Sequence, residues 1–238
     1  MKVSEFVASV AKEFGDEALK GAIILVAIDR PLDHLIQTSL ALGPYHPGKP
    51  SPWSHTFLLA GAFKGAETPI LDCTIRDENG NIAFNVTLEE MIKTVLNKAG
   101  GIYWSKLEDY DIPQVHPVGV KLIEDATAEE RDKIIAAGLD LKKENIHYEF
   151  LGLVRGLIAL LFHIKLKPIG EDLFCSAFCQ VCYRAAFGAG PNSKGDFLPG
   201  VHSKDVTPDD IWFSRKGENF PRTRHIQIPT FDDLRTLD

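Results

Sequence analysis

The sequence predicts an α+β protein with a mainly antiparallel sheet. Short β-branched runs, each bounded by turn residues, fill the first half, at 22–28, 55–62, 69–76, 102–107 and 115–123. Helical patterns concentrate in the second half, so the segments do not alternate strictly as in a parallel β-α-β array. No Ser-rich or Pro-rich linker divides the 238 residues, which argues for a single domain over 1–238 with an N-terminal helix and a C-terminal extension.

Each element has its own local reason. Residues 3–14 place Val3, Phe6, Val7, Val10 and Phe14 near helical spacing. The run 22–28 reads as a buried strand. Pro31 then suits the first turn of a helix to about residue 42. Residues 43–52 are rich in Pro and Gly and read as a loop. Lys64-Gly65 lies between two strands, as in a hairpin, and 77–81 is a further turn. Thr87 and Thr127 each precede a Glu by three residues, the spacing of a capping box. Helices are therefore expected at about 88–98 and 128–138, the second stopping at Gly138. Residues 146–164 read as a hydrophobic helix and 174–187 as another, followed by a loop over 188–200. Thr207-Pro208 opens a short helix, and 226–228 reads as a late strand.

Composition narrows the function classes. The chain is 45% hydrophobic and 25% charged, ordinary for a globular protein and unlike disordered or collagen-like chains. Its formal charge is −7, and its densest basic stretch is only Arg222-Thr-Arg-His225, so no large nucleic-acid footprint is expected. Residues 1–14 lack an apolar run of signal-peptide length, and the greasiest segment, 156–162, is far shorter than the ~20 residues of a membrane span. A cytoplasmic protein is the expectation. Nothing in the sequence sets the oligomeric state.

Four cysteines stand at 73, 175, 179 and 182. Three of them within eight residues do not resemble a disulfide ladder. Cys175 falls in the first turn of its predicted helix, where the dipole favours the nucleophilic thiolate. Cys179 and Cys182 follow on the same face. The alternative is three small buried hydrophobes. Zinc is the weaker reading, because Cys-x3-Cys-x2-Cys is not the paired knuckle spacing, and no cofactor is expected.

Of eight histidines, His55 stands out by a pairing. It opens a strand after the long loop, in Pro52-Trp-Ser-His-Thr-Phe57. Asp72, on the next strand, is the only charged residue between Glu67 and Arg76, and a carboxylate in an apolar strand is costly to bury without a partner. In a hairpin Asp72 lies within reach of His55 and can hold the imidazole by its second nitrogen. The alternative is an edge-strand Asp facing water. Trp53 stacks on a substrate or caps the core, the core being preferred. The loops 43–52 and 188–205 are candidate walls of a cleft.

In order, the chain offers Gly21-Ala-Ile-Ile-Leu25, Ser54-His55, Ile70-Leu-Asp-Cys-Thr74, His147-Tyr-Glu-Phe150, Phe174-Cys-Ser176 and Thr207-Pro-Asp-Asp-Ile211. Together these resemble the circularly permuted papain-like thiol hydrolases, the NlpC-like group that includes YiiX-like proteins and is related to lecithin:retinol acyltransferase. The match spans about residues 20–215. It departs from the family where Gly-Asp is Gly21-Ala22, where the strand Glu is Asp72, and where Tyr-Asp-Phe is Tyr148-Glu-Phe150.

The resemblance implies a permuted papain-like fold. It implies Cys175 as nucleophile, His55 as base and then acid, and Asp72 as the group orienting His55. Tyr148 and the Cys175 backbone N–H would serve the oxyanion, with Ser176, Ser54 and Trp53 beside the substrate. The activity implied is amide hydrolysis on small peptides through an acyl-thioenzyme. The alternatives are acyl transfer on lipids, with 152–164 as an apolar face, and a catalytically silent module that binds a peptide or acyl ligand.

Overall fold

The computed structural model describes residues 2–41, 49–76, 82, 100–144, 174–214 and 223–227. Helix α1 (Val3–Phe14) leads through a short turn to strand β1 (Ile23–Ile28) and helix α2 (Pro31–Leu40). Strands β2 (His55–Leu59), β3 (Pro69–Ile75), β4 (Gly100–Lys106) and β5 (Val115–Ile123) follow. Helices α3 (Ala128–Lys143), α4 (Cys175–Phe187) and α5 (Pro208–Phe213) precede the last strand, β6 (Thr223–Gln227). The expected helices at 88–98 and 146–164, with the apolar run 152–164, lie outside the described residues.

The six strands form one antiparallel sheet in the order β4-β3-β2-β1-β5-β6. Pairing strength is uneven. β3 and β4 pair along their whole length, from Pro69 opposite Lys106 to Ile75 opposite Gly100. β2 and β3 pair only at Leu58 with Leu71 and at Leu59 with Ile70. Toward His55 that ladder has stopped.

Side-chain alternation along β1 explains its unbroken apolar run. Ile23 and Leu25 join a core with Leu58, Leu71, Cys73, Ile134, Phe178 and Cys182 on the face covered by α3 and α4. Ile24, Val26 and Ile28 join a second core with Phe57, Ile70, Val118 and the α1 residues Val3, Val7 and Val10. A strand buried on both faces needs no polar alternation. Each such Val, Leu or Ile contributes about 1.5–3 kcal/mol by leaving water.

Two glycines mark close packing. Helix α3 does not stop at Gly138 but runs to Lys143, which corrects the expected end. A Cβ on Gly138 would lie 3.0 Å from Leu71 Cδ1 and 3.2 Å from Phe178 Cζ, so the residue admits α4 and β3 rather than ending the helix. On β5, a Cβ at Gly119 would meet Trp53 at 2.8 Å and Trp212 at 2.9 Å, so only glycine leaves room for the indole pair.

The capping box at α3 is formed: Thr127 Oγ1 accepts from Glu130 N–H at 3.1 Å, and Glu130 Oε2 accepts from Thr127 N–H at 2.7 Å. Helix α5 repeats the motif with Asp210 in the glutamate position, across Thr207.

Candidate active site

Cys175 is the first residue of α4. Phe174 before it is extended, and the first intrahelical bond runs from Phe178 N–H to the Phe174 carbonyl at 2.8 Å. The N–H groups of Cys175, Ser176 and Ala177 therefore lie at the open, positive end of a thirteen-residue helix.

Three ties hold that helix in place. The segment after α4 returns alongside it. Gln180 Nε2 donates to the Gly195 carbonyl at 2.6 Å and its Oε1 accepts from Phe197 N–H at 3.0 Å. Arg184 binds Asp196 at 2.6 Å. At the Cys175 end, Ser176 Oγ donates to the Val206 carbonyl at 2.7 Å. The Ser176 hydroxyl is thus an internal anchor. The segment from Gly195 to Ser203 is strapped to Gln180 and Arg184 of α4.

His55 opens β2. Its Nε2 lies 2.8 Å from Asp72 Oδ1, and both side chains are buried. The other Asp72 oxygen, Oδ2, accepts from the Tyr110 hydroxyl at 2.6 Å. With Nε2 engaged, Nδ1 is the ring nitrogen left for the Cys175 thiol, which is within hydrogen-bonding reach of His55. The structure thereby brings Cys175, His55 and Asp72 together from α4, β2 and β3, at the end where β2 and β3 no longer pair.

The electrostatics single out one thiol. Burial alone would push Cys175 up, but the His55 charge and hydrogen bond outweigh it, helped by the Thr56 backbone and hydroxyl, and hold the thiol below its ordinary value. Burial alone would depress His55. The Asp72 carboxylate and the Cys175 sulfur outweigh that too, and the imidazole is pushed up to about 10. The pair thus favours thiolate and imidazolium. Cys73, Cys179 and Cys182, thiols buried like Cys175, all move up instead, chiefly by burial. Among the described residues no three His, Cys, Asp or Glu side chains are grouped to hold a metal ion.

The neighbours of His55 have structural duties. Ser54 Oγ accepts from Ile28 N–H at 3.2 Å and Ser54 N–H donates to the Val26 carbonyl, tying the start of β2 to β1. That gives the residue a duty in the scaffold. Trp53 is buried in the core against Trp212, ring centroids 4.8 Å apart. Ser51 Oγ donates to Asp209 Oδ1 at 2.6 Å and accepts from Trp53 N–H at 2.9 Å, fixing the chain that enters β2. Tyr148 lies outside the described residues.

Sequence reasoning missed Thr56 and Tyr110. Thr56 sits next to His55 and was detectable as a polar residue at the start of an apolar strand. Tyr110 lies in a short turn, Leu107–Tyr110, with no pattern pointing at the site. No family model matches the chain, and no curated protein does.

Proposed function

We propose that this chain is a cysteine-dependent hydrolase, an amidase or peptidase acting on small peptide amides. The observation that carries the reading is the selectivity among its thiols. Of four free, buried cysteines, the one lowered toward thiolate is the one at a helix N-terminus facing an imidazole held by a carboxylate.

In this reading the Cys175 thiolate attacks the substrate carbonyl carbon, and the carbonyl π-electrons move to oxygen. The Cys175 N–H at the open helix end donates to that oxyanion, with Tyr148 as the second donor the resemblance implies. His55 passes its proton to the leaving amine as the C–N bond breaks. It then takes a proton from water, which attacks the thioester and frees Cys175. Asp72 keeps the imidazole oriented throughout.

The fold that suits this reading is the permuted papain-like one. It is supported by an antiparallel sheet packed against the cysteine helix and by the order His55, Asp72, Cys175. The choice of peptide amides over lipid esters follows the same resemblance. Four free thiols suit a reducing compartment, and we place the protein in the cytoplasm.

The test is alkylation of each cysteine by iodoacetamide across pH, read by mass spectrometry, in the wild type and in His55→Ala. The expected result is a rate plateau for Cys175 well below the ~8.5 of a free thiol, lost in the variant. Reaction of Cys175 no faster than Cys179 or Cys182, with no effect of the substitution, would overturn the proposal.

A further inference from the structure

Asp72 is fully buried, and a buried carboxylate needs donors on both oxygens. His55 serves Oδ1, and the Tyr110 hydroxyl, itself fully buried, serves Oδ2 at 2.6 Å. The Tyr110 ring does a second thing. It stacks on Phe57 with centroids 4.4 Å apart and lies nearly parallel to the His55 ring, at 16° and 5.9 Å. One side chain therefore holds the carboxylate and also bounds the imidazole that the carboxylate grips.

We infer that Tyr110 is a positioning residue, the fourth member of a chain running Tyr110–Asp72–His55–Cys175. The inference rests on the thiol-hydrolase reading above and assigns to it a residue outside the triad. Tyr110 is held firmly enough for the task. It ends the turn that follows β4, and the next residue, Asp111, accepts from Ser4 N–H at 2.8 Å and from Ser4 Oγ at 2.5 Å. The N-terminal helix α1 thus braces the turn that carries Tyr110.

The chemistry is that of a relayed charge preference. The hydrogen bond donated to Oδ2 fixes the Asp72 carboxylate in the orientation that meets His55. The Asp72 carboxylate favours imidazolium at His55, and imidazolium favours thiolate at Cys175. Burial and the Asp72 charge push the Tyr110 phenol well above its ordinary value, so it stays a neutral donor across the working range. Other groups bearing on this cluster are Arg30, which acts on Tyr110, Tyr103, which faces Asp72 across the β3–β4 pairing, and the buried thiols Cys73 and Cys179, which feel both Asp72 and Cys175.

The experiment is the iodoacetamide pH profile of Cys175 in Tyr110→Phe, beside the wild type and Phe57→Leu. Tyr110→Phe removes one oxygen and keeps the ring. The expected outcome is a rise of about one unit in the apparent pKa of Cys175, a roughly tenfold loss of alkylation rate near pH 6. Phe57→Leu disturbs the stacking and keeps the hydroxyl. It should lower Tm and leave the profile in place. If Tyr110→Phe does not fold, a fluorinated tyrosine at position 110 keeps the hydroxyl and makes it a stronger donor, and the apparent pKa should then fall.

A wild-type plateau that stays put in Tyr110→Phe overturns this inference alone. So does a profile that shifts as much in Phe57→Leu, since packing would then be the cause. Absence of any His55-dependent plateau in the wild type overturns both this inference and the hydrolase reading.

Discussion

Asp209 is buried in the first turn of α5, where its Oδ1 receives the Ser51 hydroxyl. Burial raises its carboxyl to about 7, against the opposing Ser51 hydrogen bond and with help from Asp210. The linkage has a definite sign. The folded state holds this proton more tightly than the unfolded chain, so the stabilisation is complete below about pH 4 and is lost as pH rises through 7. Asp209→Asn removes the ionisation and keeps an oxygen for Ser51. Thermal melts should show the variant close to the wild type near pH 4 and more stable than it at pH 8. A gap that does not change with pH would sink this account. The site residues obey the same logic of environment over identity. Cys175 and Cys179 are one helical turn apart, yet one is shifted down and the other up, because His55 reaches only the first.

Helix α4 is fixed as an element by what returns along it. Arg184 bonds Asp196, Ser203 Oγ and the carbonyls of Leu198 and Val201, so a single guanidinium organises most of the following loop. Asp196 is almost wholly buried and would be left as an unpaired charge in Arg184→Ala, a loss of about 3 kcal/mol. Urea unfolding should show that loss, with Arg184→Lys recovering only part of it, since ammonium cannot reproduce the fork. An unchanged midpoint in Arg184→Ala would refute the role. Element by element, the sequence was readable where local chemistry decides. The spacing from Val3 to Phe14 and the Thr127 and Thr207 caps yield helices whose starts agree with the structure. It misled where a distant partner decides. Gly138 looks like a stop in one dimension and is a contact surface for Leu71 and Phe178 in three.

At the scale of the whole molecule, an antiparallel sheet carries one apolar core on each face, and no helix among the described residues is long and apolar enough to cross a membrane. The α+β class and the meeting of His55 with Asp72 were legible, because a lone carboxylate in an apolar strand demands a nearby partner. Tyr110 was not, since nothing local distinguishes a turn tyrosine that braces a carboxylate from one that fills space. The uneven pairing of the strands has a mechanical consequence. β3 and β4 form one ribbon, and β2, β1, β5 and β6 form another. Between them, among the described residues, run the Leu58–Leu71 and Leu59–Ile70 pairs and the bond from Ala60 N–H to the Pro69 carbonyl, continued at the open end by the His55–Asp72 bond. The site is therefore also a clasp on a seam. In His55→Ala, amide hydrogen exchange should quicken along the Asp72–Ile75 end of β3 while β1 and β5 keep their protection. Equal rates in both proteins would mean that the apolar cores alone hold the seam shut. Where the clasp does carry load, every proton that moves between Cys175 and His55 changes the force joining the two ribbons. The sheet would then loosen and tighten in step with the state of its thiol.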